Sequence, residues 1–188
     1  MNATLNRFAA AIALFAAAAS APAATLSLIP SQSTVPVGQV LQLELRISDL
    51  APGETVGVFD LGVGFDTAKF AFASFSLGSE LGALGLDAWD LGSGLASGSV
   101  RLAELSFLDD LSAQPGAFTL ATLNFTALNA GPADFGFTDV TLGDAWGNAL
   151  AATTVGTSVA ISAVPEPASY LLLAAGLAAI GIRRRAAR

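Results

Sequence analysis

The side chains able to do chemistry are few, and most fall in three short stretches. Asp87 and Asp90 flank Trp89, Trp146 follows Asp144, and Asp109-Asp110 form an acidic pair. An indole beside carboxylates suits a sugar, because the ring stacks on a pyranose while the acids accept hydroxyl hydrogen bonds. Asp87, Trp89, Asp90 and Trp146 are therefore the candidate ligand contacts; the competing reading is a core Trp beside solvated acids. Asp109-Asp110 lacks the spacing of an EF-hand and reads as a solvated turn, so no metal site is expected. A glycosidase needs two carboxyl groups ~5–9.5 Å apart, a separation that sequence spacing does not fix. The chain has no Cys and no His. That excludes disulfides, thiol chemistry, His-containing zinc sites and Ser-His-Asp triads. No catalytic residue and no cofactor is expected.

These residues must be positioned by a body running from Ala24 to Ala163, long enough to bury a sizeable core. It carries fourteen acids against three bases (Arg46, Lys69 and Arg101), a net charge of −11. So acidic a surface argues against nucleic acid, whose phosphates need clustered Lys and Arg. It also repels anionic lipid. Asn124-Phe125-Thr126 fits a glycosylation acceptor, but it sits inside an expected strand.

The two ends of the chain have a different character. Residues 1–23 read as a signal peptide: Arg7 in a positive n-region, an apolar run from Phe8 to Ala19, and Ala21-Pro22-Ala23 as a small-x-small cleavage site. No Arg pair precedes the run, which points to Sec export. Residues 164–188 fall into three blocks. Val164-Pro165-Glu166-Pro167 comes first, a 15-residue apolar stretch from Ala168 to Ile182 follows, and Arg183-Arg184-Arg185-Ala186-Ala187-Arg188 ends the chain. As a helix, the apolar stretch spans roughly 22 Å, short of the ~30 Å hydrocarbon core but close enough for a tethered transmembrane helix. The arginines favour the cytoplasmic side and act as a stop-transfer tail, which places the body outside the cytoplasm.

This order of Pro-Glu-Pro, short apolar helix and terminal Arg cluster resembles the PEP-CTERM sorting signal of Gram-negative bacteria. The resemblance implies that Val164, Pro165, Glu166 and Pro167 form the sorting motif, with Arg183, Arg184, Arg185 and Arg188 in its basic tail. It further implies recognition by exosortase, a membrane-embedded cysteine peptidase, with transient anchoring in the inner membrane. Delivery to the cell surface or extracellular matrix follows, in association with exopolysaccharide and biofilm.

The body reads as β-structure. Leu41, Leu43, Leu45 and Ile47 alternate with polar residues, and Phe59, Leu61, Val63 and Phe65 repeat the period of two. Further strands are expected over 25–29, 70–77, 100–107, 117–127, 133–142 and 153–161. Turn signals lie at Pro36-Val37-Gly38, Ala51-Pro52-Gly53 and Gln114-Pro115-Gly116. Residues 78–98 show no clear period, leaving a long loop or a strand-bearing flap open. Phe59, Phe65, Phe70, Phe72 and Phe125 read as core. Together these predict an all-β antiparallel sandwich.

Val37-Gly38-Gln39, the strand from Leu41 to Ser48, and Val58-Phe59-Asp60-Leu61-Gly62-Val63-Gly64-Phe65-Asp66 resemble cohesin-like domains. So do 70–77, 101–107 and 118–125. Thr67 departs from the pattern, where such turns often carry Pro. The resemblance implies a jelly-roll sandwich of about nine strands; no residue here identifies a dockerin-binding surface. The combined expectation is a non-enzymatic exported protein whose partners are exosortase, the inner membrane and exopolysaccharide or another surface protein. A carbohydrate-binding module is the alternative, and a glycosidase a distant third.

Overall fold

The computed structural model describes residues 23–96 and 98–164. Most of the expected signal peptide, and the tail from Pro165 to Arg188 over which an apolar helix is expected, lie outside the described residues. Within them, twelve strands form in order: β1 (Ala24–Pro30), β2 (Thr34–Pro36), β3 (Val40–Ser48), β4 (Val58–Phe65), β5 (Phe70–Leu77), β6 (Ala88–Asp90), β7 (Gly94–Ala96), β8 (Ser99–Ser106), β9 (Phe118–Ala127), β10 (Gly131–Gly143), β11 (Ala152–Val155) and β12 (Thr157–Ser162).

The strands make two sheets. Sheet A has the order β11-β1-β3-β9-β5, and sheet B the order β2-β12-β10-β4-β8-β6, with β7 also paired to β8. Leu41, Leu43, Leu45 and Ile47 are fully buried on one face of β3, as their alternation requires. Phe59, Leu61 and Val63 of β4, with Val100 and Leu102 of β8, close the core from sheet B. Phe125 packs its ring against those of Phe65, Phe70, Phe72 and Phe135, with centroids 4.9, 6.1, 5.8 and 5.0 Å away. Aromatic pairs at such spacing and tilt add to plain area burial.

Three departures from the expected pattern have local causes. The strand expected over 153–161 is two strands, β11 and β12, parted at Gly156. A Cβ there would lie 2.6 Å from the Phe135 carbonyl oxygen, so glycine lets the chain cross from one sheet to the other. Two pairings are parallel rather than antiparallel, β1 with β11 and β2 with β12. The segment 78–98 carries β6 and β7, so it is a strand-bearing flap laid along β8.

β-Bulges interrupt the period of two. Register shifts opposite Leu45/Arg46 leave Leu120 as the extra residue of β9, and both Leu120 and Ala121 are buried. A shift at Ala73 turns Phe70, Phe72, Phe75 and Leu77 toward the core despite their uneven spacing. A third, at Thr138 of β10, lays the threonine side chain over Gly62 and Gly64 of β4. Those two glycines belong to the Val58–Asp66 stretch, and the bulge gives them a steric purpose.

Candidate functional site

The outer face of sheet B is built by the residues of β4, β8 and β10 that alternate with the core. Asp60, Gly62, Ser99, Arg101, Asp139 and Thr141 line a concave strip of about 350 Å³. Its hollow exists because Gly62 has no side chain. Arg101 is held in a fixed pose. Its Nε and Nη2 donate to the two oxygens of Asp60 at 2.9 and 2.6 Å, and Nη1 donates to the carbonyls of Leu91 and Gly92 at 3.0 and 3.3 Å. The bidentate pairing with Asp60 holds the guanidinium above its ordinary value. Arg101 thereby ties the flap to the sheet.

Asp87, Trp89 and Asp90 lie on that flap. Trp89 pairs in register with Leu105 and is 59% exposed, with its ring 5.6 Å edge-on from the ring of Phe107. Leu84, Leu86, Leu91, Leu95 and Phe107 are also exposed along this edge. The two acids are occupied by backbone amides. Asp87 Oδ1 accepts from Ala83 N–H at 2.6 Å, and Asp90 Oδ1 accepts from Gly92 and Ser93 N–H at 3.0 and 2.6 Å. Partial burial pushes the Asp90 carboxyl up, but the Ser93 and Gly92 hydrogen bonds and the field of Arg101 outweigh it and bring it below its ordinary value. Strand alternation turns Asp90 to the opposite face from Trp89.

Trp146 is held elsewhere, on the turn between β10 and β11, and is 89% exposed. The Asp144 carboxylate builds that turn. It accepts from Trp146 N–H, Asn148 N–H and Asn148 Nδ2, each at 2.8 Å, and these bonds keep it ionised to lower pH than usual. The indole borders a cavity of about 250 Å³ whose other walls include Glu54, Thr55, Asp109, Asp110 and Ser112. The Ser112 side chain and Ser112 N–H, the latter at 2.8 Å, hydrogen-bond the Asp110 carboxyl and lower it, and Glu54 accepts from Ala51 N–H at 2.9 Å.

Glu104 was not among the expected site residues. It is the buried charged residue of the described core, 0% exposed, and neither carboxyl oxygen has a hydrogen-bond partner. Burial, reinforced by the charge of Asp90, raises its pKa from 4.5 to about 7. The signal was present in the sequence: Val100, Leu102 and Glu104 share one phase of the period of two, so an inward Glu104 follows from the pattern. Glu104 lines none of the cavities at Arg101, Trp146 or Gln114.

This architecture is that of a cohesin-like module, and the comparisons with solved structures give the same class. A type II cohesin domain from the cellulosome of Acetivibrio cellulolyticus superimposes with a TM-score of 0.62 at 15% identity, covering 73% of this chain and 95% of that one. The cohesin module of a Clostridium perfringens family 33 glycoside hydrolase gives 0.60 at 16% identity, covering 76% of this chain and 98% of that one. The sixth cohesin of scaffoldin B from Acetivibrio cellulolyticus, solved in complex with a dockerin, gives 0.57 at 19%, covering 75% and 100%. No curated protein matches the chain. At the end of the chain, residues 163–185 match the PEP-CTERM protein-sorting motif. The chain thus couples a cohesin-like all-β sandwich to a PEP-CTERM sorting motif.

Proposed function

We propose that this is a non-enzymatic exported protein that exosortase processes for the cell surface or extracellular matrix, where its sandwich serves as a docking module. The observation that carries the reading is the sorting motif at residues 163–185, which begins directly after β12 ends at Ser162. Sec export places the body in the periplasm, and the short apolar helix anchors it in the inner membrane. The arginines oppose full translocation, since each costs ~2.5–3.5 kcal/mol at the bilayer centre on insertion scales. The chain pauses with Pro165-Glu166-Pro167 just outside the membrane. The prolines keep that stretch from joining a sheet edge. Association with exopolysaccharide and biofilm is the setting that the sorting signal implies.

The docking role draws on the likeness to a cohesin solved with its dockerin, and on the exposed apolar edge around Trp89 and Phe107. Large exposed apolar residues gathered at one edge are a feature of interaction surfaces. The partner in this reading is another surface protein.

Intact-mass measurement of the protein from medium and from membranes, with and without exosortase, tests the sorting step. Glu166→Ala should leave insertion intact and accumulate unprocessed protein. Replacing Arg183, Arg184 and Arg185 with Ser should let tail-bearing protein escape. Normal maturation of a chain carrying all four changes would refute the reading.

Carbohydrate binding is a second reading, favoured by the exposed Trp146 at the rim of an acid-lined cavity. In that reading Trp146→Ala abolishes retention of the protein on exopolysaccharide and Trp89→Ala does not.

A further inference from the structure

Glu104 lies where a sandwich has no evident structural use for a carboxyl group. Its register partners are Phe59 on β4 and Asp90 on β6. Phe59, and Leu142 beyond it on β10, are buried and apolar. On the other side, β6 is an edge strand of three residues. It is flanked by hydrogen bonds from Phe107 N–H to the Asp87 carbonyl at 2.7 Å and from Leu91 N–H to the Ala103 carbonyl at 2.9 Å. Within sheet B, this short strand is what lies between Glu104 and the sheet edge.

The charged groups nearby offer Glu104 no relief. Asp90 adds its own negative charge from directly across the ladder. Arg101 and Asp60 alternate to the outer face, where each is satisfied by the other. Asp139 lines the strip on that same outer face. Asp87 is turned to the Ala83 amide. Glu80, Asp109 and Asp110 open onto surface cavities. An ionised Glu104 in the closed sandwich would therefore be a buried, unpaired charge, which the apolar surroundings strongly disfavour.

We propose that Glu104 is a pH-operated latch on the β6 edge: neutral, it lets the strand close over it, and ionised, it drives β6 off β8 so that water reaches the carboxylate. Lifting a three-residue edge strand breaks few hydrogen bonds and leaves the rest of the sandwich in place, so it is the cheapest way to hydrate the charge. Trp89 and Leu91 travel with β6. The latch therefore changes the apolar edge that the docking role uses, closed in acid and loosened toward alkaline pH. Across the window from 4.5 to about 7, set by the ordinary and buried values of Glu104, the ratio of lifted to closed strand rises as much as tenfold per pH unit. The full swing is about two orders of magnitude.

The test uses the full chain in a neutral polyoxyethylene detergent, with no partner and no peptidase present, so it stands apart from the docking and sorting readings. Trp146→Phe removes the exposed indole and leaves Trp89 as the sole Trp reporter. Its emission should shift to the red with a midpoint near pH 7. Hydrogen-exchange protection factors, which remove the chemical pH dependence, should fall about 100-fold between pH 5 and pH 8 for Trp89 and Leu91, the residues whose N–H groups face β8 in the alternating ladder. Those of β3 and β9 should not change. Glu104→Gln keeps the shape without the titration and should abolish both responses, and Glu104→Met provides the same control in apolar form. A response that persists in both variants, a wild-type chain with no response, or a loss of protection that extends to β3 and β9 would overturn the latch.

Discussion

Gly62 offers the sharpest test of how the outer face of sheet B is built. A Cβ added there would overlap the Thr138 hydroxyl and sit 3.2 Å from the Asp139 amide nitrogen and 3.3 Å from Asp139 Oδ2. Gly62 is absent from the residues with positive φ, so its role is steric rather than conformational. Overpacking of this kind costs about 1–3 kcal/mol. Restricting the unfolded chain returns about 0.4–1 kcal/mol. Gly62→Ala should therefore destabilise residues 24–163 by about 1–2 kcal/mol. With a urea slope of about 2 kcal/mol/M, the midpoint falls by about 0.5–1 M. Thr138 is exposed, so Thr138→Ala alone should cost no more than about 0.5 kcal/mol. In the double variant the overlapping hydroxyl is gone, and most of the Gly62→Ala loss should return as a coupling of about 1 kcal/mol. A neutral Gly62→Ala, or a double variant no more stable than the single, would refute the claim that the bulge at Thr138 dictates glycine in β4.

The remaining predictions concern the core, the buried acid and the acidic surface. Phe125→Ala should cost about 3–5 kcal/mol, because Phe125 is fully buried at the centre of the ring cluster; urea unfolding reads it directly. Glu104 has a raised folded-state value, so its contribution is full below pH 4.5 and is lost as pH rises toward about 7. The stability of wild type relative to Glu104→Gln should accordingly fall by up to about 3 kcal/mol across that window, measured by denaturation at fixed pH steps; an unchanged difference would mean that the carboxyl is hydrated. Calcium should bind weakly or not at all, since the acids of the Trp146 cavity are partly spent on backbone amides; calorimetry showing a micromolar site would contradict this.

The parts of the fold legible in the sequence are those where one strand keeps a single phase. Leu41 to Ile47 is such a strand, and its four apolar side chains are all in the core. Bulges hide the rest. A reader following a period of two through Phe70, Phe72 and Phe75 must change phase at Ala73, and nothing in residue type marks the change. The crossing at Gly156 is similar, because one glycine in an apolar-polar run signals a break only once Phe135 is known to lie against it. Trp89 and Trp146 stand out in the sequence by residue type and by the acids beside them. Their different surroundings, an apolar edge for one and an acid-lined cavity for the other, come from non-local pairing. Glu104 is the opposite case. Its inward phase was readable, but an acid among fourteen in an acidic body draws no notice by composition.

The junction between sandwich and tail bears on what processing would leave behind. Ile161 is the last core residue of the described chain, and Ser162 ends β12. Ile161 pairs with Gly131 of β10 on one side and Val35 of β2 on the other, so β12 is fixed on both edges up to that point. One further bond, from Val37 N–H to the Ser162 carbonyl at 3.0 Å, secures the strand end. Val164 is exposed. Among the described residues, the last buried side chain is therefore that of Ile161, and the matched sorting motif begins at residue 163, after the last ladder pair. Under the proposed sorting, anchoring and folding are energetically separate. That reading assigns anchoring to the tail, while the core of the described residues is made by the two sheets and ends at Ile161.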